Sequence, residues 1–522
     1  MVAGALALVL HGHLPYVRSR NPGSLEEDWY FQALSESYLP LLESLTSALR
    51  QGARPRLTMS LSPTLLSLLS DPVLQERFEP WIEQRCLLLE RCAPEEQGAA
   101  AELHAHFQRQ LDGFRRHQGE VLRGFQELLQ AGVLDLITCS ATHGYLPLLR
   151  DPAQAVHGQL RTAVREHERL LGVAPQGIWL PECAFYEGLD AALAQVGLRY
   201  AVLDAHGLLH GLPRPRYGVY APICSSASVA FFGRDSEATL PVWSASDGYP
   251  GDAAYREFHR DIGWELPEQE LQAAGILSSR PLGLKLRRVS GGDCPLNGKL
   301  PYDPAAAART ARGHALSYVQ ERLKQLQELE AVMDRQPPVV APFDAELFGH
   351  WWFEGPQFLE QVFIQGQAAG LGFSTLRQHL SSQPQLQVCR PSPSSWGQGG
   401  YHAYWLSASN AWVVPDWHRA CLAMVQAVRT SLHRSGLQQR LLQQAARELL
   451  LAQSSDWSFI LRAGTTTGLA KERIQRHLER FWQLMRAMDG DEALPEGWFE
   501  AVRSEDRLFP LIQPLDWAKV GP

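Results

Sequence analysis

Leu6-Ala7-Leu8-Val9-Leu10-His11-Gly12-His13 sets two imidazoles directly after an unbroken apolar run. With no polar residue in the run, neither face is suited to water. That is the pattern of a strand buried on both sides in a parallel sheet or barrel. Residues just past the end of such a strand face the active rim of a parallel barrel. His11 and His13 lie two apart on an extended segment, so both rings point toward one pocket.

Working outward, the same kind of run recurs at 57–61, 133–139, 177–180, 200–203, 240–243 and 339–343, each read as a strand. Helical patterns fall between most of them, at 29–51, 159–171 and 305–333. Strands alternating with helices imply right-handed βαβ units, and a chain of 522 residues is long enough to close them into an α/β barrel or nearly so. Between about 72 and 130 the pattern changes. Phe107, Leu111, Phe114, Val121, Phe125 and Leu128 recur mostly at three or four residues, which predicts a helical insertion. After Pro415 the strands stop and helices are expected at 416–433, 437–451 and 469–487. The expected division is therefore a barrel domain over 1–415, with its insertion at about 72–130, and a helical domain over 416–522.

Net charge is −8, which argues against nucleic acid or an anionic membrane as the main partner and leaves a neutral polymer open. Eight scattered cysteines form no CxxC pair, so buried free thiols are expected rather than a zinc ribbon. The apolar start lacks a basic flank and runs into the histidine pair, unlike a signal peptide. No apolar run approaches the roughly 20 residues of a membrane span. The expected location is the cytoplasm.

Chemistry-bearing residues gather at the strand ends. His11 and His13 are either a metal pair, with His143 as a further candidate, or two hydrogen-bonded histidines. Glu182 follows Trp179-Leu180-Pro181; taken alone, such a residue is equally a helix cap or an arginine's partner. Asp344 ends a strand-like run and is followed at once by Glu346, His350, Trp351 and Trp352. Trp243 and Trp396 sit in glycine-rich, loop-forming sequence, where an indole serves as a sugar platform or as a loop anchor. Two carboxylates at separate strand ends are the minimum equipment for cleaving a glycosidic bond, and a retaining enzyme sets them about 5–5.5 Å apart.

Taken together these segments resemble glycoside hydrolase family 57, and within it the α-1,4-glucan branching type. Phe343-Asp344-Ala345-Glu346-Leu347-Phe348-Gly349-His350-Trp351-Trp352 is the most specific match; Trp179-Leu180-Pro181-Glu182 and the His11/His13 pair add order and spacing. The resemblance implies an incomplete (β/α)7 barrel with an inserted helical subdomain and a C-terminal helical bundle. It implies a retaining double displacement without metal or other cofactor, with Glu182 as nucleophile and Asp344 as general acid/base. His11, His13, His143, Arg234, Trp243, Gly251, His350, Trp396, Trp405 and Asp456 are implied glucan contacts. The implied substrate is amylose- or glycogen-type α-1,4-glucan. Two departures stand out. The segment 217–234 is shorter than the lid-bearing loop expected there, leaving Tyr220, Phe231 or Phe232 as stand-ins for the lid tyrosine. Thr465 stands where a glucan-binding glutamine is expected. Both lie on the acceptor side, so they bear on transfer more than on bond cleavage. The alternatives are an α-glucan hydrolase or 4-α-glucanotransferase on the same site, a metal-dependent barrel amidohydrolase or deacetylase, and a catalytically dead glucan-binding protein.

Overall fold

The computed structural model describes residues 4–244, 246–383, 385–430, 436–490 and 493–518. Among these residues, β1 (Ala5–Gly12) lies at the middle of the first parallel sheet. It pairs with β2 (Leu57–Leu61), which pairs with β3 (Leu134–Ile137). The second sheet holds β4 (Gly177–Ile178), β5 (Tyr200–Leu203) and β6 (Ala230–Gly233), again parallel. β7 (Pro338–Asp344) runs parallel along the other side of β1.

The two sheets join into a ring at both ends. Thr138 bridges to Ile178 between β3 and β4, the Trp179 N–H donating to the Thr138 carbonyl at 2.8 Å. Between β6 and β7 the join is thinner, with the Asp235 N–H reaching the Val340 carbonyl at 2.8 Å. The result is an incompletely laddered (β/α)7 barrel, the fold class expected from the sequence.

Alternation along β1 explains the two cores. Leu6, Leu8 and Leu10 pack outward against helices, while Ala7 and Val9 face the barrel axis with Val202, Phe232, Val340 and Tyr200. His11 continues the inward set. Register then fixes its neighbours, since His11 lies opposite Ser60 on β2 and opposite Asp344 on β7. One strand alternation thus carries an imidazole and a carboxyl to the same end of the barrel.

The expected helix at 29–51 is Leu25–Ala33 and Leu39–Arg50, joined through a π turn at Leu34–Tyr38. The insertion is built from Pro72–Leu89, Gln97–Arg116 and Leu122–Gln130, with Phe107, Leu111, Phe114 and Phe125 buried as their spacing requires. Beyond the barrel come Val413–Thr430, Leu437–Ala452, Ser455–Ala463, Thr467–Asp489 and Trp498–Glu505, all helical. Positions 431–433 of the helix expected at 416–433 lie outside the described residues.

One expected strand is corrected. Residues 240–243 belong to the helix Ser236–Trp243, capped by the Asp235 carboxylate, which accepts from the Ala238 N–H at 2.6 Å. Ala238, Thr239 and Val242 are buried while Leu240 is exposed, the spacing of a helix face. The strand that fills this place in the ring is β6. Its Phe232 faces the barrel interior and Phe231 packs on Phe185, so neither serves as a lid. Tyr220 turns toward Asp235 and Gln325 instead of the site. None of the three proposed lid stand-ins lines the cavity described below.

No described helix is long and apolar enough to cross a membrane. All eight cysteines are unpaired, and Cys86, Cys139, Cys183, Cys389 and Cys421 are buried.

Candidate active site

A cavity of about 300 Å³ opens at the C-terminal end of the barrel strands. His11, His13, His143, Glu182, Asp344, His350, Trp396 and Asp456 all line it, although they come from segments up to 445 positions apart in the chain.

The histidines form a stacked set. His11 lies on the Trp179 indole at 4.9 Å between ring centres, and His13 on His143 at 4.1 Å. The Nε2 atoms of His11 and His143 are 3.1 Å apart, so one donates and the other accepts. Burial holds both imidazoles well below their ordinary pKa, with His13 adding to the effect. Nδ1 of His11 meets the Ser60 hydroxyl, and Nδ1 of His143 meets that of Ser455 at 2.7 Å. His13 spans the Ser62 hydroxyl at 2.8 Å and the Asp456 carboxylate at 3.0 Å. Burial works against the Asp456 charge, but His13 and His143 beside it hold the pKa at about 2. Every ring nitrogen of the three therefore has a hydrogen-bond partner. One grouping with ligand-like proximity is His13, His143 and Asp456, whose ligand atoms fall within 4.8 Å of one another.

Glu182 sits on the turn Pro181–Cys183 that follows β4, at φ +62°, with Cys183 next to it at φ +51°. Left-handed backbone at two successive non-glycine residues costs on the order of 1–3 kcal/mol each and persists only where surroundings enforce it. The enforcement is visible. Trp396 donates its backbone N–H to the Glu182 carbonyl at 2.9 Å and its indole N–H to Oε2 at 2.6 Å. Burial pushes the Glu182 carboxyl up to about 7, opposed by the Trp396 N–H and by His13, while Asp456 adds to the rise.

Asp344 faces it from the end of β7. Burial, then Glu346 and Glu182 nearby, push its carboxyl well above the usual range, with Arg234 opposing. Glu346 is held by the Tyr38 hydroxyl and by the His13 N–H at 3.1 Å. Tyr38 closes the π turn, and Glu36 in the same turn accepts from Arg256 at 2.7 Å and engages Nδ1 of His350 at 2.7 Å. The widened turn thus sends both residues to the site. Gly349 is required here. It lies at φ +120°, and a Cβ would stand 1.7 Å from the Glu36 carbonyl oxygen.

The remaining expected contacts fall in two groups. Trp243 flanks the cavity, 5.6 Å from Trp396 and 6.5 Å from Trp351 between ring centres. Arg234 stands behind the Trp396 ring at 5.9 Å and faces Asp204 at 3.6 Å. Trp405 is 2% exposed, stacked on Tyr145 at 4.7 Å, and does not line the cavity. Gly251, in the turn Tyr249–Gly251, does not line the cavity either. Glu346 and Trp351, from the cluster that follows Asp344, line it too, while Trp29 and Phe459 line it without having been expected to. Phe459 follows Asp456 by three residues in one helix, a spacing that shares a face and gave a usable signal.

With this geometry established, known proteins offer close parallels. Residues 7–267 match glycosyl hydrolase family 57, and residues 416–517 match the C-terminal region of 1,4-alpha-glucan branching enzymes. A 1,4-alpha-glucan branching enzyme of Thermococcus kodakarensis is 31% identical over 92% of this chain and 73% of its own length. The crystal structure of the alpha-amylase AmyC from Thermotoga maritima superposes with a TM-score of 0.91, at 34% identity, covering 100% of both chains. That of a family 57 branching enzyme from Pyrococcus horikoshii gives 0.90 at 30% identity, covering 99% of this chain and 97% of the other. By its strand-end carboxylates, its fold and these matches, the chain belongs to glycoside hydrolase family 57.

Proposed function

We propose that the protein is a 1,4-α-glucan branching enzyme, cutting α-1,4 bonds and rejoining the released chain through an α-1,6 bond. The observation that carries the chemistry is the unequal setting of two carboxyls in one cavity. Glu182 receives an indole N–H, which favours its charged form. Asp344 has no protein hydrogen-bond donor among the described residues and feels two neighbouring acids, which favours its protonated form. Glu182 attacks the anomeric carbon while the Asp344 proton passes to the departing glycosidic oxygen. The ester on Glu182 is then displaced by the 6-hydroxyl of an acceptor glucan, whose proton returns to Asp344. Two inversions retain the α configuration.

His11, His13 and His143, fixed by their own hydrogen bonds, shape the pocket wall, while His350 and Asp456 offer polar atoms to sugar hydroxyls and Trp243 and Trp396 offer apolar faces; Arg234 braces Trp396. We divide the chain into the barrel domain at 1–415 and a helical domain at 416–522 that lends Asp456 and Phe459 to the cavity. The unpaired cysteines support a reducing compartment, the cytoplasm.

A second reading, α-glucan hydrolysis, is favoured by the short 217–234 segment and by the likeness to the amylase. The shared chemistry is tested by trapping. A maltosyl fluoride carrying a further ring fluorine needs no acid to depart and leaves a slow glycosyl ester. Mass analysis of the digested protein should find the label on Glu182, and a label on another residue would refute the assignment.

A further inference from the structure

A second cleft, of about 560 Å³, lies on the helical region between Val413–Thr430 and Thr467–Asp489. That volume is within the roughly 300–1,000 Å³ of ordinary ligand clefts. Trp412 and Trp482 stand in its lining with Gln475 and Gln483. Trp412 is 40% exposed, yet its indole N–H is tied to the Ser409 carbonyl at 3.2 Å, so an open aromatic face is held in place.

The charges of the cleft balance, Asp416 and Glu479 against Arg419 and Arg486. A polyanion gains nothing from such a surface, and an apolar helix would strand its polar groups. A neutral chain with hydroxyls at its edges and C–H faces above and below suits it: indoles take the faces, while amides and charged groups take the hydroxyls.

A series of side-chain contacts leads from the cavity toward the cleft. Phe459, 44% exposed, lines the cavity, and Tyr404 lies against it at 4.7 Å between ring centres. The fully buried Asn410 amide donates to the carbonyls of Tyr404 at 2.9 Å and Ser458 at 3.0 Å. Trp412 follows Asn410 by two residues. The segment 404–412 therefore holds one ring against the cavity-lining Phe459 and another in the lining of the cleft.

We propose that the Trp412–Trp482 cleft is a second binding site for α-1,4-glucan, reached along Phe459 and Tyr404, that holds a long chain while its distant part occupies the cavity. The proposal rests on the reading of the cavity as a glucan site. It predicts that affinity depends on chain length through residues that never meet the cut bond.

The test uses the full chain with Glu182→Gln, so that glucan is not consumed, and compares amylose with maltotriose by native-gel retardation and calorimetry. Adding Trp412→Ala should weaken amylose binding about tenfold, the scale of one aromatic contact, and maltotriose binding less than twofold. The pair Gln475→Ala/Gln483→Ala serves as a second variant that leaves the indoles in place, and should act in the same direction. Unchanged amylose affinity in both variants, or equal losses for both ligands, would overturn the second site alone. A parent protein that binds neither ligand would overturn the cavity reading as well.

Discussion

Replacing Trp396 by Phe isolates the one hydrogen bond that separates the two carboxyls. The ring face remains, but the indole N–H, 2.6 Å from Glu182 Oε2, is gone. A hydrogen bond to a charged group contributes about 1.5–3 kcal/mol. At 1.36 kcal/mol per pH unit this raises the Glu182 titration by about 1–2 pH units. In the parent, burial already sets it at about 7. The sign follows from the role: the nucleophile acts ionised, so kcat/KM falls as pH drops through that value. Trp396→Phe should therefore move the acidic limb upward and cost about fivefold to fiftyfold at pH 7, with the deficit shrinking as pH rises. The assay is kcat/KM against pH on a short maltooligosaccharide. A deficit of equal size at every pH would show that the indole N–H does not set the Glu182 titration and reduce Trp396 to a stacking surface.

Asp344→Asn should lower kcat by about 10²–10⁴-fold while glucan binding persists, because only proton transfer is removed; loss of binding with turnover intact would contradict the role. Activity should also decline at high pH as Asp344 loses its proton, and that alkaline limb should vanish in Asp344→Asn. Gly349→Ala should destabilise the fold by about 2 kcal/mol or more, read as a lowered Tm, because the new Cβ meets backbone that cannot yield. Chelation should leave activity unchanged; stoichiometric metal with chelator-sensitive activity would revive the histidine metal reading for His13, His143 and Asp456.

Much of the barrel was legible because its signals are local. The unbroken run before His11 marks a two-sided strand, and a polar residue after such a run marks the rim. Glu182 and Asp344 stand out as candidates by that rule, and the roles of nucleophile and acid/base come from the resemblance. Helix and strand could not be separated at 240–243 because four apolar residues fit both periods, and the deciding cap, Asp235, lies five residues upstream. Ala230–Gly233 escaped notice for the matching reason, since its phenylalanines read as exposed lid residues until both faces proved buried. The π turn that brings Glu36 and Tyr38 to the site leaves no sequence mark. The tie between His13 and Asp456 spans 443 residues, a separation that no pattern in one chain reveals. Trp405 was carried by resemblance and placed behind Tyr145 by packing.

Transfer to a 6-hydroxyl separates branching from hydrolysis, and amylose reports on both. The pure protein is incubated with amylose, α-1,6 linkages are counted by proton NMR or debranching, and new reducing ends are counted in the same sample. A branching enzyme yields many α-1,6 linkages and few reducing ends, the expected result. Reducing ends without α-1,6 linkages would contradict it and make water the acceptor.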